Sequence, residues 1–390
     1  MQEKISHILI FEPRLKGHHL SWLKTITNCF VSQGFKISLA TDYRGESRDL
    51  IQNHLSGIID KISIMSVFEK NGQWYKGGKI KSLSNCFHKS NAQEIFMNNL
   101  DEIMSHCLRL SAFGLMPPEN LKGRLSGVYF RPRFIENNFM PPGNIIKSYG
   151  FRRLCKQSWF KNIYFMDEYL HKIIKDKYPD QSFYFLPDFW EGHYSHDRRE
   201  ARNTLELPQD KLILLFFGIG DKRKGLQIAV NALLSLPEDS NAFLLCVGSP
   251  IDSKAIKGLE KLKHRGMAFL INRYVSEYEK ELCFCASDLI LLPYINHFGS
   301  SGVLSLASAA GKMVIASDFG LLGRRVKEHH LGFTFKNGDT RDFVRCLKEA
   351  LSIKESRMAR HQQALSRFSN QSTLQSFANA LMSPYRYEHY

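Results

Sequence analysis

Two hydrophobic rhythms alternate along this chain. Short unbroken apolar runs read as strands buried on both faces. Between them, apolar residues three and four apart read as amphipathic helices. Ile8-Leu9-Ile10-Phe11 opens the series. A polar loop over 12–19 leads into a helix over 20–33, with Leu20, Leu23, Ile26, Thr27 and Phe30 at helical spacing and Gly34 suited to its C-cap. Lys36–Ala40 is the next strand, so the first 40 residues read as βαβ, and a third strand is expected over 60–65. Residues 68–95 read as a polar, exposed insertion. Pro117, Pro118, Pro132, Pro141 and Pro142 mark much of 114–150 as loop. A strand over 162–166, a helix over 167–177 and a strand over 183–186 follow, ending at Pro187-Asp188.

A second series begins after Trp190–His196, which reads as a linker leading into a helix over 198–205. Its strands are Leu212–Phe217, Ala242–Val247, Met267–Ile271, Leu289–Leu292 and a run beginning at Met313. Helices are expected over 253–264 and 276–286, and a polar-amphipathic helical stretch over 354–382. Strand and helix in strict alternation predict parallel sheets. The expected domains are 1–188, a linker at 189–207, a second domain at 208–353, and a helical segment at 354–390 that returns to the first domain.

Length agrees with this division, since 390 residues exceed one ordinary core. Hydrophobic content of 43% and charged content of 23% place the chain among globular proteins. The first residues lack the layout of a signal peptide. No stretch reaches the roughly 18–20 apolar residues of a membrane span. The expected location is the cytoplasm, with peripheral contact to the inner membrane face. The eight cysteines are scattered through apolar segments and form no disulfide framework. Cys283-x-Cys285 falls within a helix, where residues two apart face away from each other, so buried free thiols are expected and no metal.

Candidate chemistry sits where strands end. Leu212–Phe217 runs into Gly218 and the basic turn Lys222-Arg223-Lys224-Gly225. Leu289-Ile290-Leu291-Leu292-Pro293-Tyr294 runs into His297-Phe298-Gly299-Ser300-Ser301-Gly302-Val303. There Ser300 or Ser301 is the expected N-cap. The N–H groups of Ser301, Gly302 and Val303, aided by the helix dipole, suit an anion such as a diphosphate.

The order of these pieces resembles the nucleotide-sugar half of a GT-B glycosyltransferase, specifically the retaining enzymes of family 4. The resemblance implies a GT-B α/β fold, with two Rossmann-like domains facing each other across a cleft, the first for the acceptor and the second for the donor. It implies that a hexosyl group passes from a nucleotide diphosphate sugar, a UDP- or GDP-sugar, to a hydroxyl of a glycan or lipid-linked acceptor. No metal or other cofactor is implied. Lys224 corresponds to the family's lysine on the donor diphosphate, and Gly218 to the glycine that opens the domain. Arg223 stands in for an arginine whose usual place holds Ile219. Gly248 and Arg273-Tyr274, after their strands, fall where relatives form the pocket wall and hold the base. Gly17-His18-His19 occupies the first loop of the acceptor domain, where the histidines suit sugar hydroxyls, phosphate or acid–base work. The family's two glutamates, counted back from Gly311, fall at Leu306 and Phe298. This departure favours the alternative of a catalytically inactive relative acting as a binding protein.

Charge adds a partner. The chain carries a net +15. Over 119–161, Lys122, Arg124, Arg131, Arg133, Lys147, Arg152, Arg153, Lys156 and Lys161 stand against Glu119 and Glu136, a local +7 interleaved with aromatic rings. Such a stretch suits an anionic membrane surface, and Arg131-Pro132-Arg133 suits an anionic acceptor. No nucleic-acid-binding motif accompanies the charge, so a nucleic-acid partner is not expected.

Overall fold

The computed structural model describes residues 5–15, 18–135, 141–353 and 355–386. The chain divides into two α/β units: unit 1 is Met1–Pro187 with Phe377–Tyr390, and unit 2 is Asp188–Ser376.

Unit 1 runs β1 (His7–Glu12), α1 (His18–Ser32), β2 (Lys36–Thr41), α2 (Gly45–His54), β3 (Ile62–Ser66), α3 (Lys79–Ser90), β4 (Glu94–Met97), α4 (Leu100–Ile103), α5 (Ser105–Ala112), β5 (Leu125–Tyr129), α6 (Pro142–Lys156), β6 (Phe160–Phe165), α7 (Glu168–Lys177) and β7 (Phe183–Phe185). Its seven strands form one parallel sheet in the order β3-β2-β1-β4-β5-β6-β7. The central strands β1, β4 and β5 are buried at every position, as helices on both faces require.

Three sequence expectations fail here. Residues 68–95 are not an exposed insertion: they contain α3 and the start of β4. Ile80, Leu83 and Phe87 line one face of α3, and Leu83, Cys86 and Phe87 join the core. The lysines that make the stretch look polar lie outside the core face, whereas Ser82 is buried and donates its hydroxyl to the Val67 carbonyl at 3.0 Å. Within 114–150, the prolines flank ordered elements instead of replacing them. Pro117 and Pro118 precede β5, and Pro142 takes the first position of α6, where a missing N–H costs nothing. Gly127 is required inside β5, because a Cβ there would lie 2.2 Å from the Met97 carbonyl oxygen. The loop over 12–19 is also shorter than expected. β1 extends to Glu12 and α1 starts at His18.

The helix α16 (Leu374–Arg386) belongs to unit 1 from Phe377 onward, and there Tyr164 donates its hydroxyl to the Leu381 carbonyl at 2.6 Å. Tyr385 donates to Glu94 Oε1 at 2.6 Å, and Ser126 donates to the same oxygen. Lys161 Nζ lies 3.6 Å from the other oxygen. Glu94 is fully buried, and that burial raises its pKa despite the neighbouring lysine and hydroxyls. A carboxyl that holds its proton more tightly when folded contributes stability that is lost as pH rises through its folded pKa. Glu94→Gln keeps an acceptor and removes the charge. Thermal unfolding between pH 5 and pH 8 is expected to fall off less steeply with pH in this variant than in the wild type. Parallel profiles would mean that Glu94 titrates normally.

Unit 2 runs α8 (Arg198–Thr204), β8 (Leu212–Phe217), α9 (Leu226–Leu234), β9 (Ala242–Val247), α10 (Ser253–His264), β10 (Ala268–Ile271), α11 (Glu277–Ala286), β11 (Leu289–Leu292), α12 (Gly302–Ala309), β12 (Met313–Ser317), α13 (Gly320–Glu328), β13 (Gly332–Phe335), α14 (Thr340–Leu351) and α15 (Glu355–Gln371). Six parallel strands are ordered β10-β9-β8-β11-β12-β13. The segment before β8 is held within this unit by Arg202, a fully buried side chain. It donates to the Ala286, Gln209 and Lys211 carbonyls and to Asp288 at 2.6 Å. Cys283 and Cys285 are buried and unbridged on α11, and burial pushes the Cys283 thiol up to about 12. No helix among the described residues is long and apolar enough to cross a membrane.

Candidate functional site

In open parallel sheets, ligands bind beyond the strand C-termini where the strand order reverses. In unit 2 that point lies between β8 and β11. The turn after β8 and the turn after β11 meet there. Gly218 leaves β8 with φ +108, and its carbonyl oxygen comes within 2.1 Å of where a Gly248 Cβ would stand. These two predicted glycines therefore touch, and neither tolerates a side chain cheaply. Asp221 caps the next turn, accepting the Lys224 N–H at 2.7 Å. Gly225 then reverses the chain at φ +70 so close to β11 that a Cβ would sit 1.8 Å from the Pro293 carbonyl oxygen. Ile295 donates its N–H to the Arg223 carbonyl at 2.8 Å, which fastens the two turns together.

Side chains complete the junction. Lys224 Nζ lies 3.8 Å from the centre of the Tyr294 ring, a cation–π contact. Arg223 Nη1 lies 3.2 Å from His297 Nδ1, and His297 Nε2 lies 2.9 Å from the Ser300 carbonyl oxygen. A carbonyl only accepts, so Nε2 carries the proton and Nδ1 accepts from the guanidinium. Ser301 stands at the N-cap of α12 as expected. However, its side chain makes no capping bond and instead donates to the Tyr294 hydroxyl at 3.4 Å. The first turn of α12, Gly302 and Val303, keeps the N–H groups that any helix start leaves without an i−4 partner. Gly299 is buried in the turn and Ser300 half-buried.

Arg273 and Tyr274 lie elsewhere. They follow β10, the edge strand, and no contact among the described residues joins them to this cluster. Arg273 pairs with Glu279 at 3.1 Å, which holds that carboxyl down at about 2. Tyr274 is 92% exposed.

In unit 1 the strand order reverses between β1 and β4. Glu12, the last residue of β1, is buried and its Oε2 lies 3.1 Å from His19 Nδ1. Asn98, just beyond β4, donates to the same oxygen at 2.9 Å, and the Arg14 N–H donates to Oε1 at 2.9 Å. The carboxylate fixes the ring with its proton on Nδ1. His18 is the first residue of α1, whereas Gly17 lies outside the described residues. Both histidines were expected in a loop. The structure places them in the first turn of the helix, because His19 reaches back to the strand end. Nearby, Asp101 anchors the basic loop by accepting the Phe130 N–H at 2.6 Å and the Arg131 N–H at 3.1 Å.

Sequence reasoning named neither Tyr294 nor His297 as site residues, nor Asp221, Glu12 and Asn98. Some signals were present: Glu12 is an acidic residue closing an apolar run, and Asp221 stands three residues before Lys224, at N-cap spacing. The glutamate positions at Phe298 and Leu306 are filled by apolar packing, with Phe298 edge-on to Phe319 at 4.7 Å. Among the described residues, no group of three or more His, Cys, Asp or Glu side chains is placed to hold a metal ion.

Two Rossmann-like parallel sheets define the GT-B fold, and the chain resembles the GT-B glycosyltransferases. Residues 197–367 match the family described as Glycosyl transferases group 1. Among solved structures, the chain is similar to a glycosyltransferase from Rickettsia africae, with a TM-score of 0.71, 14% identity, and 99% of each chain covered. It is similar also to HepE of Anabaena, solved in complex with UDP, with a TM-score of 0.70, 12% identity, and coverage of 98% of this chain and 100% of the other. Among curated relatives, D-inositol 3-phosphate glycosyltransferase of Streptomyces avermitilis is 32% identical over 178 residues, 42% of this chain. The match spans 38% of that relative's length.

Proposed function

We propose that the protein is a hexosyltransferase that moves a sugar from a nucleotide diphosphate donor to a hydroxyl of a glycan or lipid-linked acceptor, with retention of configuration. The observation that carries this reading is the junction at the switch point of unit 2. There Lys224, Arg223 and the first turn of α12 come together on turns fastened by Gly225 and Ile295. As the bond between the sugar's anomeric carbon and the diphosphate breaks, negative charge grows on the leaving oxygen. An ammonium and a helix N-terminus preorganised at that place stabilise it. Gly218 and Gly248 keep the backbone wall thin, and Gly299, Ser300 and Ser301 keep the opposing turn small. His18 and His19 are assigned to the acceptor hydroxyl, with Glu12 holding the His19 tautomer. Arg273 and Tyr274 are assigned to the nucleotide base, from their place after β10 alone.

HepE's complex with UDP makes UDP the first nucleotide to test, with GDP beside it. The decisive assay is nucleotide release from UDP- and GDP-sugars with and without lipid-linked or glycan acceptors. Acceptor-stimulated release is expected, and His19→Ala is expected to slow it far more than it weakens nucleotide binding. Binding without release from any donor would favour the second reading, an inactive relative that binds a nucleotide or partner. The apolar side chains at Phe298 and Leu306 support that second reading. No binding of either nucleotide would remove both.

A further inference from the structure

The basic stretch of unit 1 does not present most of its rings to solvent. Phe134, Phe151, Trp159 and Phe160 are core side chains. What remains outside is a patch on α5 and α6. These helices pack so closely that a Cβ on Gly150 would lie 1.7 Å from the Leu108 carbonyl oxygen. With Gly150, Phe151, Leu154 and Cys155 turned inward, the outward stripe of α6 is Ile145, Tyr149, Arg152, Arg153 and Lys156, related by steps of three and four. Tyr149 is 64% exposed and Ile145 44%.

The loop after α5 borders this stripe. The Arg153 guanidinium lies 3.6 Å from where a Cβ of Gly114 would stand. The neighbours of Gly114 are Phe113, 75% exposed, and Leu115, 61% exposed. Arg109 of α5 is exposed near Lys147 of α6. Neither helix contains an aspartate or glutamate. Among the described residues, Arg109, Arg152, Arg153 and Lys156 pair with no carboxylate.

Single exposed apolar side chains are ordinary. Four of them beside four unpaired cations, with no acidic residue on either helix, are not. A protein partner would be expected to find charges of both signs to answer. A nucleic acid would use stacking rings, and Leu115 and Ile145 offer it nothing. Aliphatic and aromatic side chains beside lysine and arginine fit the boundary between phosphate headgroups and acyl chains.

We propose that this face of α5 and α6, with Phe113 and Leu115 at its edge, docks on an anionic lipid bilayer. The apolar side chains enter the headgroup boundary and the cations lie against lipid phosphates. The proposal rests on the surface of unit 1 and is independent of glycosyl transfer.

The test is co-sedimentation of the full chain with phosphatidylcholine vesicles, with and without phosphatidylglycerol, at low and high salt. Pelleting is expected only with the anionic vesicles, and less of it at high salt. Arg152→Glu with Arg153→Glu is expected to weaken partitioning by more than the roughly fivefold that one lost cation accounts for. Phe113→Ser with Leu115→Ser is expected to weaken it at unchanged charge. Both pairs are solvent-exposed, so unfolding temperature and UDP binding in solution should stay as in the wild type. Several results would overturn the proposal: equal partitioning to both vesicle types, partitioning to neither, wild-type behaviour of either pair, preference for a single-stranded RNA over vesicles, or a dimer in light scattering that the Phe113→Ser pair abolishes.

Discussion

Lys224→Ala is expected to weaken UDP binding roughly tenfold to a hundredfold, the equivalent of a charged hydrogen bond worth about 1.5–3 kcal/mol. Turnover should fall by at least as much, because the leaving diphosphate is more charged than the bound donor. The turn itself should survive. The Lys224 backbone is held by Asp221, the reversal belongs to Gly225, and Arg223 keeps its bond to His297. What is lost is the ammonium resting on the Tyr294 ring. Tyr294 supplies an internal control. Tyr294→Phe retains the ring face and should bind UDP nearly as well, whereas Tyr294→Ala releases the lysine and should lose part of the affinity. Titration calorimetry with UDP decides the matter. Unchanged affinity in Lys224→Ala would remove the lysine from the site.

Legibility in the sequence followed burial. Strands buried on both faces, such as β8, β9 and β11, are continuous apolar runs and could be read directly. β5 could not, because Leu125-Ser126-Gly127-Val128-Tyr129 contains a serine and a glycine. Both are present for reasons outside the strand. Ser126 serves Glu94, and Gly127 gives way to the Met97 carbonyl. α3 was hidden in the same way by its polar outer face. At the site, the turns were legible because glycine spacing is a local property. Their partners were not. Lys224 meets Tyr294, and Arg223 meets His297, only because β8 and β11 are neighbours in the sheet. Sequence order says nothing of that adjacency. Glu12 and Asn98 meet through the same kind of long-range neighbour, β1 beside β4.

The largest expected effect on stability belongs to a pair that the sequence reading passed over as the end of a strand. Asp188, the first residue of unit 2, accepts from Arg325 Nη1 at 2.7 Å, with the two side chains only 6% and 4% exposed. Arg325→Ala is expected to destabilise unit 2 by about 3–5 kcal/mol, on the order of 10 °C in unfolding temperature. The loss cannot come from the helix, since alanine has the higher propensity within α13. It comes from Asp188, a buried carboxylate that loses the Arg325 guanidinium. Arg325→Met combined with Asp188→Asn removes both charges and fills much of the volume, so the double variant should be more stable than Arg325→Ala. It should also keep wild-type affinity for UDP at temperatures where unit 2 is folded, because neither residue belongs to the Lys224 junction. Thermal unfolding of the three proteins measures the first point and UDP titration the second. A loss of only about 1 kcal/mol in Arg325→Ala, the range of an exposed ion pair, would show that water reaches Asp188. A double variant no better than the single one would show that the pair is needed for its shape and not for its charge balance.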